Sequence, residues 1–202
     1  YITNNSEASF KDTSYVPTGG KHGIPKVASV LKKIGVPIKA LYDIDFLSER
    51  DLVKSSVVAF GGNWADIEVL WERVNSAVRG GVKPKSIEDI KSEIIQTLQN
   101  AEQGKLPKGD VSSLMKQGKA WSEVKKFGEV AIPNGQGQQD YKALKVALEN
   151  LGIFVVPVGE IENFCPEIGS HGPKFVTKLL TEVQLADERL KNLREFVSHI
   201  HS

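Results

Sequence analysis

Two acid-x-acid pairs, Asp43-Ile44-Asp45 and Glu160-Ile161-Glu162, each follow an apolar run in this chain. Carboxylates at this spacing are what hard divalent cations need. Mg²⁺ takes one or two protein carboxylates, keeps several waters and adds substrate phosphate oxygens. Four acids delivered by two strands can divide between two ions. Such a clamp activates a water and stabilises the leaving oxygen in phosphodiester cleavage. Crowded carboxylates also repel one another, so some of their pKa values rise when no cation is present. On an extended chain residues i and i+2 share a side, so both acids of a pair face one crevice while Ile44 or Ile161 turns to the core.

The elements that must position these pairs are written twice. Val27, Val30, Leu31 and Ile34 are spaced as a helical stripe and Gly35 supplies a left-handed cap. A buried strand over Val36 to Tyr42 then delivers Asp43. Later, Tyr141, Leu144, Leu148 and Leu151 form a stripe that Gly152 ends. Ile153-Phe154-Val155-Val156 follows as a continuous apolar strand, the pattern of a sheet covered on both faces. It leads to Glu160. In an open parallel α/β sheet, ligands bind beyond the carboxyl ends of the strands. The expected fold is α/β, a mostly parallel sheet flanked by helices.

Between the two units the periodicity is helical. Ile67, Leu70, Trp71, Val74 and Val78 mark one helix, and Ile87, Ile90, Ile94 and Leu98 another, with Ser86 as its N-cap. Gly104 to Asp110 reads as a loop and Leu114 to Lys126 as a shorter helix. The stretch of about 64–126 is therefore read as a helical insertion, packed on the α/β core or projecting from it. Phe127 to Ile132 is expected to return a strand, and Pro133 to Gly137 to be a loop. A last helical tract runs from Pro173 toward Ile200, broken near Gln184. At the other end, Tyr1 to Ser14 is polar and weakly patterned, and Tyr15-Val16-Pro17 suggests a short strand before a Gly-rich turn.

That turn, Thr18-Gly19-Gly20-Lys21-His22-Gly23, has two readings. Glycines let backbone N–H groups approach an anion and Lys21 adds charge, but the Walker A pattern is absent. A tight βα turn explains both glycines, with Lys21 contacting DNA backbone in a secondary role. Lys174, at the start of the last helical tract, can reach toward Glu160 and Glu162 and steady a scissile phosphate. His22 and His171 read as loop residues. Trp64, Trp71 and Trp121 fall on helical stripes and read as core.

Composition sets outer bounds. The 202 residues are 40% hydrophobic and 25% charged, which suits one domain over 1–202 with a real core. The net charge of +1 does not announce nucleic-acid binding, and it leaves local lysine patches free to provide it. The single cysteine, Cys165, forbids an intrachain disulfide and suits a reducing cytoplasm. No apolar run has the length of a membrane span.

The runs Pro17-Thr18-Gly19-Gly20-Lys21, Gly35 to Asp45 and Phe154 to Phe164 together resemble the Toprim domain of OLD-family (overcoming lysogenization defect) nucleases. Those proteins join an ABC-type ATPase domain to a C-terminal Toprim nuclease, and several act in anti-phage defence. The resemblance implies a Toprim-like fold and Mg²⁺- or Mn²⁺-dependent cleavage or nicking of DNA, with ATP used only by a separate ATPase domain. It makes Asp43, Asp45, Glu160 and Glu162 the metal ligands and Lys174 the lysine approaching the scissile phosphate. Homodimers are common in that family. One feature departs from its pattern. Toprim domains open with a strand ending in a glutamate, and Glu7 lies in a polar stretch instead. The expectation is a C-terminal fragment whose first Toprim strand, with any ATPase domain, lies upstream of Tyr1 or comes from another chain. Two other readings stand beside this one. A haloacid-dehalogenase-like phosphatase also uses D-x-D, although Phe46-Leu47 are large for the positions that follow it. A non-catalytic interaction module would keep the fold with an incomplete site.

Overall fold

A computed structural model of the chain describes residues 13–83, 85–101, 105–116 and 119–201. Glu7 and most of the polar N-terminal stretch lie outside them. Nine helices and two strands stand among the described residues: α1 (Ile24–Lys33), β1 (Ala40–Tyr42), α2 (Arg50–Ala59), α3 (Trp64–Gly81), α4 (Ile87–Gln99), α5 (Lys108–Lys116), α6 (Ala120–Phe127), α7 (Gln136–Glu149), β2 (Ile153–Val155), α8 (Pro173–Glu182) and α9 (Lys191–His201). None of these helices is long and apolar enough to cross a membrane.

β1 and β2 pair in parallel, with Ala40 opposite Ile153, Leu41 opposite Phe154 and Tyr42 opposite Val155. The chain is thus α/β in a helix-rich form, and the described sheet is smaller than the sequence suggests. Only three residues of the expected Val36–Tyr42 strand join the ladder. Tyr15-Val16-Pro17 is not a strand: Tyr15 and Val16 are exposed, and the segment pairs with no strand among the described residues. The expected strand over Phe127 to Ile132 is a 3₁₀ turn (Gly128–Ala131). Gly128 has φ +75° there, and a Cβ on it would meet the Pro157 carbonyl oxygen at 2.3 Å, so the chain turns where two backbones touch.

β2 is a wall between two cores. Ile153 and Val155 face one cluster, together with Tyr42, Ile44, Phe46, Val57, Trp71, Val74, Leu144 and Leu148. Phe154 and Val156 face the other, built from the 161–168 turns, α8 and α9 around Phe164, Phe175, Leu190 and Phe196. This period-two division explains the unbroken apolar run, because each alternate side chain has a core of its own. β1 is covered on one face only: Ala40 and Tyr42 are buried and Leu41 is exposed.

The helical stretch between the units divides as well. α3 places Trp64, Ile67, Trp71, Val74 and Val78 in the first core, against α7, and α6 adds Trp121 and Val124. α4, capped by Ser86 accepting from the Asp89 N–H, buries only Ile90, and it packs with α5 outside that core. The expected Leu114–Lys126 helix is two helices, α5 and α6, and α5 begins inside the segment read as a loop. In α1 the buried residues are Pro25 and Ala28, while Val30 and Ile34 of the expected stripe are exposed. The tract from Pro173 breaks between α8 and α9, around Gln184 as its pattern suggests.

A buried polar network ties these layers together. The Asn75 side-chain amide donates to the Leu47 carbonyl (3.0 Å) and the Trp71 carbonyl (3.1 Å). Its oxygen accepts from Trp121 Nε1 (3.0 Å), and Trp71 Nε1 also donates to Leu47 O (2.8 Å). One residue of α3 therefore fixes both the turn after Asp43 and helix α6. Asn75→Ala strands a buried indole N–H and should cost about 1–3 kcal/mol of unfolding free energy. Urea denaturation measures this, and a loss below about 0.5 kcal/mol, the range of a neutral surface change, would refute the network's role.

Candidate functional site

The two strands stay together up to their acids. Beyond the ladder, the Val156 N–H donates to Tyr42 O (2.9 Å) and the Ile44 N–H to Gly159 O (2.8 Å). Just before the first acid, Tyr42 is anchored by stacking on Phe46 (4.0 Å between ring centroids) and by a 2.8 Å hydrogen bond with Ser56 Oγ. Burial pushes its phenol pKa up to about 12, so it stays a neutral spacer. Both acid pairs then enter 3₁₀ turns, Ile44–Ser48 and Ile161–Phe164, rather than continuing as extended chain. Ile44 is fully buried as expected. Ile161 is 40% exposed, a correction to the expectation for the second pair: its turn rotates the side chain out, and Phe164 fills the core instead.

Asp43 and Glu160 meet over one ammonium group. Lys125, from the last turns of α6, places Nζ 3.5 Å from Asp43 Oδ2 and 3.3 Å from Glu160 Oε2. Asp45 turns to a second cation: Lys21 Nζ lies 3.0 Å from Asp45 Oδ2 and 2.7 Å from Glu49 Oε1. Asp45 does not cap α2, whose N-cap Glu49 makes no side-chain capping bond. Glu160 uses its other oxygen differently, with Oε1 3.9 Å from His171 Nδ1. Glu162 Oε1 accepts from the Gly172 N–H (2.8 Å). Glu160, Glu162 and His171 each offer a ligand atom within 4.8 Å of the others.

Lys21 is therefore tied to the D-x-D pair, and its glycines serve a turn, Gly19 at φ +70° and Gly20 at φ +122°. Lys174 stands in the first turn of α8 and lines a groove with Pro173, Thr177 and Lys178. It makes no ion pair with either acid pair among the described residues. The lysine that does reach Glu160, and Asp43 with it, is Lys125, a residue no local motif marks. Its one sequence signal is position, inside the later lysine cluster and just ahead of Gly128.

Electrostatically the pocket is short of positive charge. Five carboxylates (Asp43, Asp45, Glu49, Glu160 and Glu162) stand against the ammonium groups of Lys21 and Lys125. Burial, followed by the neighbouring charges of Asp45 and Glu160, raises the pKa of Asp43, although Lys125 opposes the shift. Burial alone would lower the pKa of Lys125, but the charges of Asp45, Asp43 and Glu160 outweigh it and raise the value. Oxygens of Asp43 and Glu160, from two chain segments, converge on one ammonium, a place a hard cation could take. Asp45 instead faces Lys21, and the ligand atoms lying within 4.8 Å of one another are those of Glu160, Glu162 and His171.

Comparison of the chain with protein-family models, curated proteins and solved structures finds no match.

The sign of the Asp43 shift yields a test on metal-free protein. A carboxyl whose folded pKa lies above its unfolded value of 3.8 binds its proton more tightly in the folded state. Folding stability then falls as pH rises through that window, and the loss persists at neutral pH. Asp43→Asn should raise the melting temperature at pH 7 and lose this advantage below about pH 3. A variant less stable than wild type at pH 7 would show that Lys125 outweighs the desolvation.

Proposed function

We propose that this chain is a Toprim-like nuclease domain that hydrolyses DNA phosphodiester bonds with Mg²⁺ or Mn²⁺. The observation carrying this reading is the meeting of Asp43 and Glu160, from strands far apart in sequence, over one cationic point. It is supported by the parallel pairing that sets both acids beyond the carboxyl ends of their strands. It is also supported by the resemblance to OLD-family nucleases in the same segments.

Asp43, Asp45, Glu160 and Glu162 would hold the metal, with Glu160 presenting one oxygen to each side of the pocket. Bound there, a divalent cation would supply Lewis-acid stabilisation of phosphate charge and activation of the attacking water. The chain's own part is placement. Tyr42 and the Ile44–Gly159 hydrogen bond fix the acids, and Lys21 orients Asp45. Lys125 beside the acids, and Lys174 two residues after the Gly172 that Glu162 binds, would offset the repulsion between an acidic pocket and a DNA backbone. An ATPase domain or chain supplying an upstream strand is the proposed protein partner.

A second reading draws on a specific observation. Lys125 and Lys21 already neutralise part of the acid set, and such a lattice is also how a non-catalytic interaction module would fasten two loops together.

Nicking of supercoiled plasmid with Mg²⁺ or Mn²⁺ by the full-length protein, joined by any partner that supplies the upstream strand, separates the two. The nuclease reading expects metal-dependent nicking, reduced by about 100-fold or more in Asp43→Ala and in Glu160→Gln, since losing even an outer-shell partner costs about 10–100-fold. Absence of nicking with both metals would leave the interaction module. Metal-dependent release of phosphate from a small phosphomonoester, without nicking, would point to the phosphatase chemistry of D-x-D.

A further inference from the structure

Lys125 is held from behind and loose in front. The Asn163 side-chain amide donates to three carbonyls at once, Lys125 O (3.2 Å), Lys126 O (3.2 Å) and Val158 O (2.8 Å). Gly159, at φ +102°, lies so close that a Cβ there would sit 1.9 Å from Lys125 O. Glu129 adds a backbone bond to Pro157 O (2.7 Å), and Trp121 and Val124 bury the inner face of α6. The Lys125 backbone is thus welded to the loop that carries Glu160. Its ammonium group is different. The side chain is 35% exposed, and Nζ stands 3.3 and 3.5 Å from its two carboxylate partners. Charge-assisted hydrogen bonds close to about 2.7–2.9 Å when fully made. Half-exposed ion pairs of this kind contribute only about 0–1 kcal/mol each.

We propose that Lys125 is the resident counter-ion of the metal pocket and that a divalent cation binds by displacing its ammonium group; this rests on the metal-dependent reading above. An ion bonded to both Asp43 and Glu160 at about 2.0–2.1 Å occupies the space between the oxygens where Nζ now sits. The ammonium must leave while its backbone cannot. The freed side chain therefore remains at the mouth of the pocket, where the anionic partner that replaces the carboxylates is a phosphate of the DNA. Metal and DNA then bind cooperatively, because each relieves a cost of binding the other. Without DNA, Lys125 competes with the metal.

Mn²⁺ titration by calorimetry tests this on wild type, Lys125→Met and Lys125→Arg, with Asp43→Asn as the reference for the site itself. The expected result is Mn²⁺ binding in wild type, weaker binding in Asp43→Asn, and binding about 5-fold or more tighter in Lys125→Met, the lower end of ordinary coupling between sites. Lys125→Arg keeps the charge and should stay near wild type, which separates charge from packing. Adding a phosphorothioate-substituted duplex should tighten Mn²⁺ binding to wild type and do so less in Lys125→Met. If Asp43→Asn weakens Mn²⁺ binding while Lys125→Met binds it no tighter than wild type, the displacement proposal fails and the metal site stands. If wild type binds no Mn²⁺, or Asp43→Asn leaves binding unchanged, the metal reading fails and takes this proposal with it.

Discussion

Parallel registration of β1 with β2 is the constraint on which the pocket depends. Pairing Tyr42 with Val155, and then Ile44 N–H with Gly159 O, leaves Asp43 and Glu160 to emerge side by side from segments far apart in the chain. A slip of one residue would turn Ile153 and Val155 toward the second core and Phe154 and Val156 toward the first, exchanging side chains of different size in two packed clusters. The cost of that exchange holds the register, and so it holds the distance between the acids. A two-stranded ladder is weak alone. The cores on either side of β2 make it firm.

Two features carry this rigidity to the charged groups. From the first core, Asn75 binds the carbonyl of Leu47 in the acid-bearing turn and the indole of Trp121 in α6. From the opposite side, Asn163 and Gly159 clamp the end of α6 to the β2 loop. Three segments, each bearing one charged partner of the central triad, are thus joined by buried or backbone-directed hydrogen bonds. The ion pairs themselves are half-exposed and weak, so the rigidity lies in the backbone that holds them.

Much of the framework is legible in the sequence. The α7 stripe, Gly152 with φ +88°, and the β2 apolar run are local signals, set by helix period, a left-handed cap and two-sided burial. The tryptophans were legible as core for the same reason. What could not be read was anything decided at long range. Alternation along an extended strand suggests a buried Ile161, but the chain enters a 3₁₀ turn at that residue, held by Asn163 and Glu162, and Phe164 stacks on Phe196 in the second core instead. Val30 and Ile34 obey helical spacing and are nevertheless exposed, because α1 is oriented by Pro25 and Ala28. Lys125 carries no motif: its role follows from a contact between α6 and two loops. Lys174 has a suggestive place in the sequence, and it lines a groove of α8 without an ion pair to either acid pair among the described residues.

The most direct test of a shared pocket is a double-mutant cycle on Mn²⁺ affinity with Asp43→Asn, Glu160→Gln and the pair together. One ion held by both carboxylates predicts that either single change weakens binding strongly and that the double variant is far from additive. Additive losses, or a response to only one of the two residues, would mean that the acids serve separate sites and that their meeting at Lys125 is a structural ion pair alone.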